Sequence, residues 1–144
     1  MMVKILAMAV TVLVSIVAAG VCQAQSRPLE VNVPFAFEVG NKTMPAGSYH
    51  VESIPTGGGS LEILRNTGSG VHLTISTMAT ALRSGTPGPA LVFHRYGNRY
   101  FLSQIRTGDR HAREVFPSQR EKELARLEPS VEVALLGPAP AGKP

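Results

Sequence analysis

The chain has 144 residues, 44% of them hydrophobic, with 14 Lys and Arg against 10 Asp and Glu and a formal charge of +4. That is the length of one domain, apolar enough to bury a core without staples. Cys22 is the only cysteine, so no intrachain disulfide and no zinc site built on several Cys can form.

Met1 to Lys4 form a short basic stretch, and Ile5 to Ala19 is an apolar run too short to span a bilayer comfortably. This predicts a secretory signal peptide over residues 1–24. Cys22-Gln23-Ala24 supplies the small-residue cleavage pattern before Gln25, and Val17-Ala18-Ala19 is a weaker alternative. A retained anchor is disfavoured because Arg27, Pro28 and Glu30 end the apolar run. Lipidation of Cys22 is disfavoured by Val21, where a small residue is wanted. Cleavage after Ala24 leaves about 120 residues, and loss of Lys4 lowers the formal charge to +3. The exported domain then has no thiol, and its expected location is periplasmic or extracellular.

The remainder reads as a single β domain over residues 25–136, followed by a disordered tail over 137–144. Leu29 to Val39 is extended and broken at Pro34, Gly40-Asn41 and Pro45-Ala46-Gly47 are turns, and Tyr49 to Ile54 alternates. Leu61 to Leu64 and Val71 to Thr77 follow, set off by "TGGGS" and "NTGSG". These two Gly-rich stretches are hairpin loops, since neither leads into a helix or ends in Gly-Lys-Ser/Thr as a phosphate cradle would. "RSGTPGP", from Arg83 to Pro89, is a surface loop.

Gly97-Asn98 predicts a type II′ hairpin turn pairing Tyr96 with Arg99, Arg95 with Tyr100, His94 with Phe101 and Phe93 with Leu102. Gly108-Asp109 makes a second turn, giving a three-stranded meander that ends near Phe116. Strict alternation puts Leu91, Phe93, Tyr100, Leu102 and Val115 on one face. Val92, Tyr96, Phe101, Ile105, Ala112 and Phe116 fall on the other. Two partly apolar faces argue for a small antiparallel β-sandwich, with a small closed β-barrel as the alternative.

One short C-terminal helix is expected over Gln119 to Leu127. Ser118 and Glu121 form a capping box, Pro129 stops continuation, and Leu124 and Leu127 are the expected docking residues. Val131 to Leu136 returns to the sheet as a last strand.

Charge concentrates between Leu91 and Arg113, where Arg95, Arg99, Arg106, Arg110 and Arg113 face the single Asp109. A basic face suits an anionic polymer; the plainer reading is a strand edge kept soluble by Arg. His50, His72 and His94 recur at equal spacing in strands, which makes them candidates for a His-only metal site, although none pairs at i, i+2 or i, i+4. Glu30, Glu38, Glu52 and Glu62 fall where the polar face of a strand would put them. No Gly-x-Ser-x-Gly elbow is present.

"VNVPFAFEVGNKTMPAGSYHVE", Val31 to Glu52, together with "LVFHRYGNRYFLSQI", Leu91 to Ile105, resembles a family of short secreted bacterial β-proteins. Members carry Val-Pro-Phe-x-Phe, Pro-Ala-Gly-x-Tyr and a Phe-x-x-Tyr-Gly hairpin behind a signal peptide. The resemblance implies an exported β domain and supplies no catalytic residue. Pro45 to Tyr49 is also similar to a segment of prealbumin-like and carboxypeptidase-regulatory sandwich modules, where the Gly turns the chain and the Tyr packs inward.

The functional expectation is an exported, non-catalytic module that binds or supports something in the envelope or outside the cell. A small hydrolase or a His-based metal-binding protein is the alternative. The expected partner is an anionic envelope polymer or another envelope protein. Sequence-specific nucleic-acid contact, a cofactor, and membrane contact beyond the signal segment are not expected.

Overall fold

Alternating apolar and polar residues become strands wherever Gly or Pro punctuates them. The computed structural model describes residues 28–82, 88–108 and 111–138. The signal segment with Cys22, loop positions 83–87, Asp109, Arg110 and the tail beyond Pro138 lie outside the described residues.

The first strands are β1 (Leu29–Val33), β2 (Phe37–Val39), β3 (Lys42–Met44), β4 (Gly47–Thr56), β5 (Gly59–Asn66) and β6 (His72–Ala81). The meander strands β7 (Ala90–Tyr96), β8 (Arg99–Arg106) and β9 (His111–Val115) follow, then helix α1 (Gln119–Leu127) and β10 (Val131–Leu136). The chain is therefore mainly β with one short C-terminal helix.

All ten strands belong to one sheet, ordered β1-β4-β5-β6-β9-β8-β2-β3, with β7 on the other side of β8 and β10 beside β7. Pairing is antiparallel except for a single parallel bridge from Glu38 to Phe101. Strand β9 takes the second edge of β8 at Gln104–Arg106, and β2 takes it at Phe101. The sheet curls until β1 comes against β10 and β7. Strands β1 and β10 do not pair, so the sheet is not closed into a barrel.

Strands β1 and β4 bury alternate residues, and Leu29, Val31, Val33, Tyr49 and Val51 turn inward. Pro34 ends β1, and Phe35 and Phe37 then cross the interior. Phe37 meets Tyr49 and Phe93 at ring separations of 5.2 and 5.1 Å, and Phe35 stacks on Tyr100 at 3.7 Å. Neither β4 nor β7 is hydrogen-bonded to β2. These aromatic contacts therefore join facing halves of the curled sheet across one core.

In the Pro45–Tyr49 segment, Gly47 has φ 146° and the side chain of Asn66 fills the place a Cβ would take. Asn66 Oδ1 accepts the Gly68 and Ser69 amides at 3.0 and 2.9 Å, closing the turn after β5. Tyr49 packs inward and its hydroxyl donates to the carbonyl of Pro45.

The meander has the expected register at every pair named for the hairpin. Gly97 has φ 61°, and no non-Gly residue among those described has positive φ. Asn98 is therefore not left-handed, which excludes a type I′ turn and agrees with II′.

Strict alternation fails at one point. Val92 faces Gln104 while Phe93 faces Leu102, so Ser103 is an extra residue whose hydroxyl donates to the Val92 carbonyl at 3.1 Å. The bulge shifts the parity of β8, and Ile105 joins Leu91, Phe93 and Leu102 in the core rather than lying with Val92.

Helix α1 has the expected bounds, with Ser118 Oγ accepting the Glu121 amide at 3.2 Å. Its docking differs from expectation. Leu127 is 82% exposed and Leu124 only half-buried, whereas Glu121, at 5% exposure, is the buried helix residue. The helix rests against a polar position of β7, which an acidic side chain satisfies and a leucine does not. Beyond β10, the Gly137 amide donates to the Pro89 carbonyl at 2.9 Å, so the first residue of the predicted tail is tied down.

A polar cleft as candidate functional site

The bulge at Ser103 brings Ser103, Gln104 and Arg106 to the outer face of the sheet beside Val92 and His94 of β7. Thr80 and Ala81 from β6, Glu114 from β9 and Glu132 from β10 complete a cleft of about 340 Å³.

Arg106 stands in register between Ala90 and Ala112, whose small side chains leave its guanidinium room to lie along the sheet. It is 7% exposed. Nε donates to Gln104 Oε1 at 2.7 Å, while Nη2 lies 3.9 Å from Glu132 Oε1, too far for a hydrogen bond. Nη1 is buried and has no hydrogen-bond partner among the described residues. Among the described residues the one carboxylate within 4 Å of this buried cation is 63% exposed, and an exposed ion pair at such a distance recovers little of the desolvation cost. The floor of the cleft is thus an under-compensated positive charge.

His94 forms the wall. Its Nδ1 lies 2.9 Å from Oε1 of the buried Glu121. That hydrogen bond raises the imidazole pKa against the lowering effect of burial, and the charges of Glu121, Glu132 and Glu114 push the same way. Glu121 was expected to reach back to its own N-cap; its amide does bond Ser118, but its carboxylate turns to the sheet.

Of the four described arginines among the five singled out in the sequence, Arg106 alone lines this cleft. Arg95 is exposed near the hairpin end of β7, one residue out of phase with His94. Arg99 donates to Glu38 and lies 5.5 Å from the centre of the Phe101 ring. Arg113 alternates with Ala112 and therefore projects to the opposite face from Arg106, with Nε 4.0 Å from Glu62 Oε1. Arg110 lies outside the described residues.

The three histidines do not share a site. His50 and His72 flank Arg65 in one cross-strand row, and His50 Nδ1 is 3.5 Å from Glu30. His94 sits on β7 beside the helix. Among the described residues no group of three or more His, Cys, Asp or Glu is arranged to hold a metal ion.

Glu62 departs from its expected place on a polar face. It points into the core at 0% exposure, accepting from Ser53 Oγ and, at 3.4 Å, from Thr77 Oγ1. Burial pushes its pKa up, opposed by the bond from Ser53, the charge of Arg113 and the bond from Thr77. Ser60 Oγ, also buried, has no hydrogen-bond partner among the described residues.

The cleft itself was missed because its lining comes from five strands and its shape from a bulge. Compared with known proteins, the chain matches no family model, no curated protein and no solved structure.

Proposed function

We propose that the chain is an exported, non-catalytic β-module that binds an acidic group, a carboxylate or a phosphate or sulfate ester, of an envelope or extracellular polymer. The observation that carries this reading is Arg106: nine-tenths buried, at the floor of a polar cleft, with one guanidinium nitrogen lacking a hydrogen-bond partner among the described residues. An oxyanion supplies what that group lacks, through charge and planar acceptor geometry together. Glu114 and Glu132 also line the cleft, but both are exposed and therefore screened. The signal-like start of the chain supports export, and the absence of a local nucleophile–base motif in the sequence supports a binding role.

A hydrolytic reading has one observation in its favour, the pairing of His94 with the buried Glu121 beside the Ser103 hydroxyl. Against it, Ser103 donates to the Val92 carbonyl, which leaves no proton directed to His94.

Calorimetric titration with inorganic sulfate and with D-glucuronate tests the binding reading. Saturable binding lost in Arg106→Gln supports it. Binding unchanged in that variant, or no binding of either anion, overturns it.

A further inference from the structure

Arg106 does not stand alone in the cleft. Its guanidinium reaches past Gln104 to within 3.9 Å of Glu132, and Glu132 is the cross-strand partner of His94 on the same face. One carboxylate is therefore near Arg106 and in register with His94, and it is 63% open to solvent. The imidazole is fixed from behind, because Nδ1 is engaged by Glu121 and the ring packs edge-on to Tyr96 at 6.4 Å. With Nδ1 committed, Nε2 is the nitrogen left for anything that enters the cleft.

From this arrangement we infer that Arg106 and His94 form a two-donor oxyanion site, that Glu132 competes for the ligand's place, and that Glu121 of α1 is the positioning residue that aims His94. The inference rests on the binding reading above and adds to it a second donor, an internal competitor and a role for the helix.

The chemistry follows from the groups that face His94. Glu121 comes from α1, Glu132 from β10, Glu114 from β9 and Arg106 from β8. A neutral imidazole that donates Nδ1–H to Glu121 presents a lone pair at Nε2, which repels an oxyanion. A protonated one presents N–H at both nitrogens. The acidic neighbours favour the protonated ring, so the second donor switches on as the pH falls from the alkaline side. Ligand binding and helix docking then support each other through one ring, because an anion at Nε2 favours the proton that strengthens the bond to Glu121.

The test uses inorganic sulfate and D-glucuronate, whose charges are constant between pH 5.5 and 8, with calorimetric titration of the whole exported protein and thermal unfolding as a check that each variant is folded. Wild type should bind about tenfold more tightly at pH 5.5 than at pH 8. Glu132→Gln should tighten binding by about two- to fivefold, the range set by removing one exposed competing charge. His94→Asn should remove the pH dependence while keeping the part that depends on Arg106. Glu121→Gln should flatten the same profile, with faster amide exchange over residues 119–127 than wild type at the same pH. A preference for sulfate over glucuronate identifies an ester group as the source of the oxyanion, and the reverse identifies a carboxylate. Weaker binding in Glu132→Gln, or a pH profile unaltered in His94→Asn, overturns the two-donor site while leaving the Arg106 reading standing. Loss of all dependence on Arg106 overturns both.

Discussion

Ile105 and Leu127 both lie elsewhere than the sequence pattern puts them, Ile105 on the opposite face of the sheet and Leu127 in solvent, and a pair of alanine substitutions measures both departures. Ile105 is fully buried in the core cluster with Leu91, Phe93 and Leu102. Truncation to Ala removes three carbons, about 2.4 kcal/mol at roughly 0.8 kcal/mol per buried methylene. The residual cavity adds to that, so a total loss of about 3 kcal/mol is expected, within the usual range for such a change. With a urea slope of about 1.5 kcal/mol per molar for a domain of this size, the unfolding midpoint of Ile105→Ala should fall by about 2 M. Leu127 is 82% exposed, and Leu127→Ala should stay within about 0.5 kcal/mol, helped by the higher helix propensity of Ala. Urea denaturation followed by far-ultraviolet circular dichroism reads both. An Ile105→Ala midpoint within about 0.5 M of wild type, or a Leu127→Ala loss comparable to that of Ile105→Ala, would refute the bulge-shifted register and the polar docking of the helix.

Gly97→Val should cost about 1 kcal/mol or more in the same assay, because a β-branched residue resists the φ of 61° at that turn; Arg99→Ala, at a half-buried ion pair with Glu38, should cost about 1 kcal/mol. Glu62 holds its proton more tightly folded than unfolded because burial raises its pKa. Its stabilising contribution is therefore complete below the unfolded carboxylate range and is lost as the pH rises through the folded value. Glu62→Gln should thus raise the thermal midpoint at pH 7 and lose that advantage near the unfolded carboxylate range, about pH 4; a lower midpoint at pH 7 would mean that Arg113 outweighs desolvation. Intact-mass analysis of the exported protein should find Gln25 as the first residue and Cys22 absent; a lipid-modified Cys22 would contradict it.

Local chemistry made much of the fold legible. Gly97-Asn98 reads as a turn because only a residue without Cβ accepts that φ easily, and once the turn is placed the pairs out to Phe93 and Leu102 follow. Ser118 reads as an N-cap because a hydroxyl there satisfies an orphan amide. The bulge was not legible: Ser103 is an ordinary strand residue, and nothing in its neighbours announces that β7 will skip it. Ile105, the residue beyond it on β8 that the pattern placed, was consequently assigned to the wrong face. Glu62 and Glu121 were misplaced for another reason, since a carboxylate is assumed to face water unless its partner is known. Their partners, Thr77 and His94, lie 15 and 27 residues away. The cleft shares this distance problem. Arg106 was among the candidates by charge alone, but its burial between Ala90 and Ala112 depends on strand order, which spacing does not carry.

The central claim is that the cleft around Arg106 receives an oxyanion, and the Arg106 Nε–Hε signal in a ¹⁵N-resolved NMR titration with inorganic sulfate reports on it most directly. The account predicts a saturable shift of that signal, accompanied by Ser103, Gln104 and the His94 ring, with Arg95 and Arg113 unmoved. Shifts spread over Arg95, Arg99 and Arg113 with Arg106 unmoved would contradict it and leave only a diffuse basic surface.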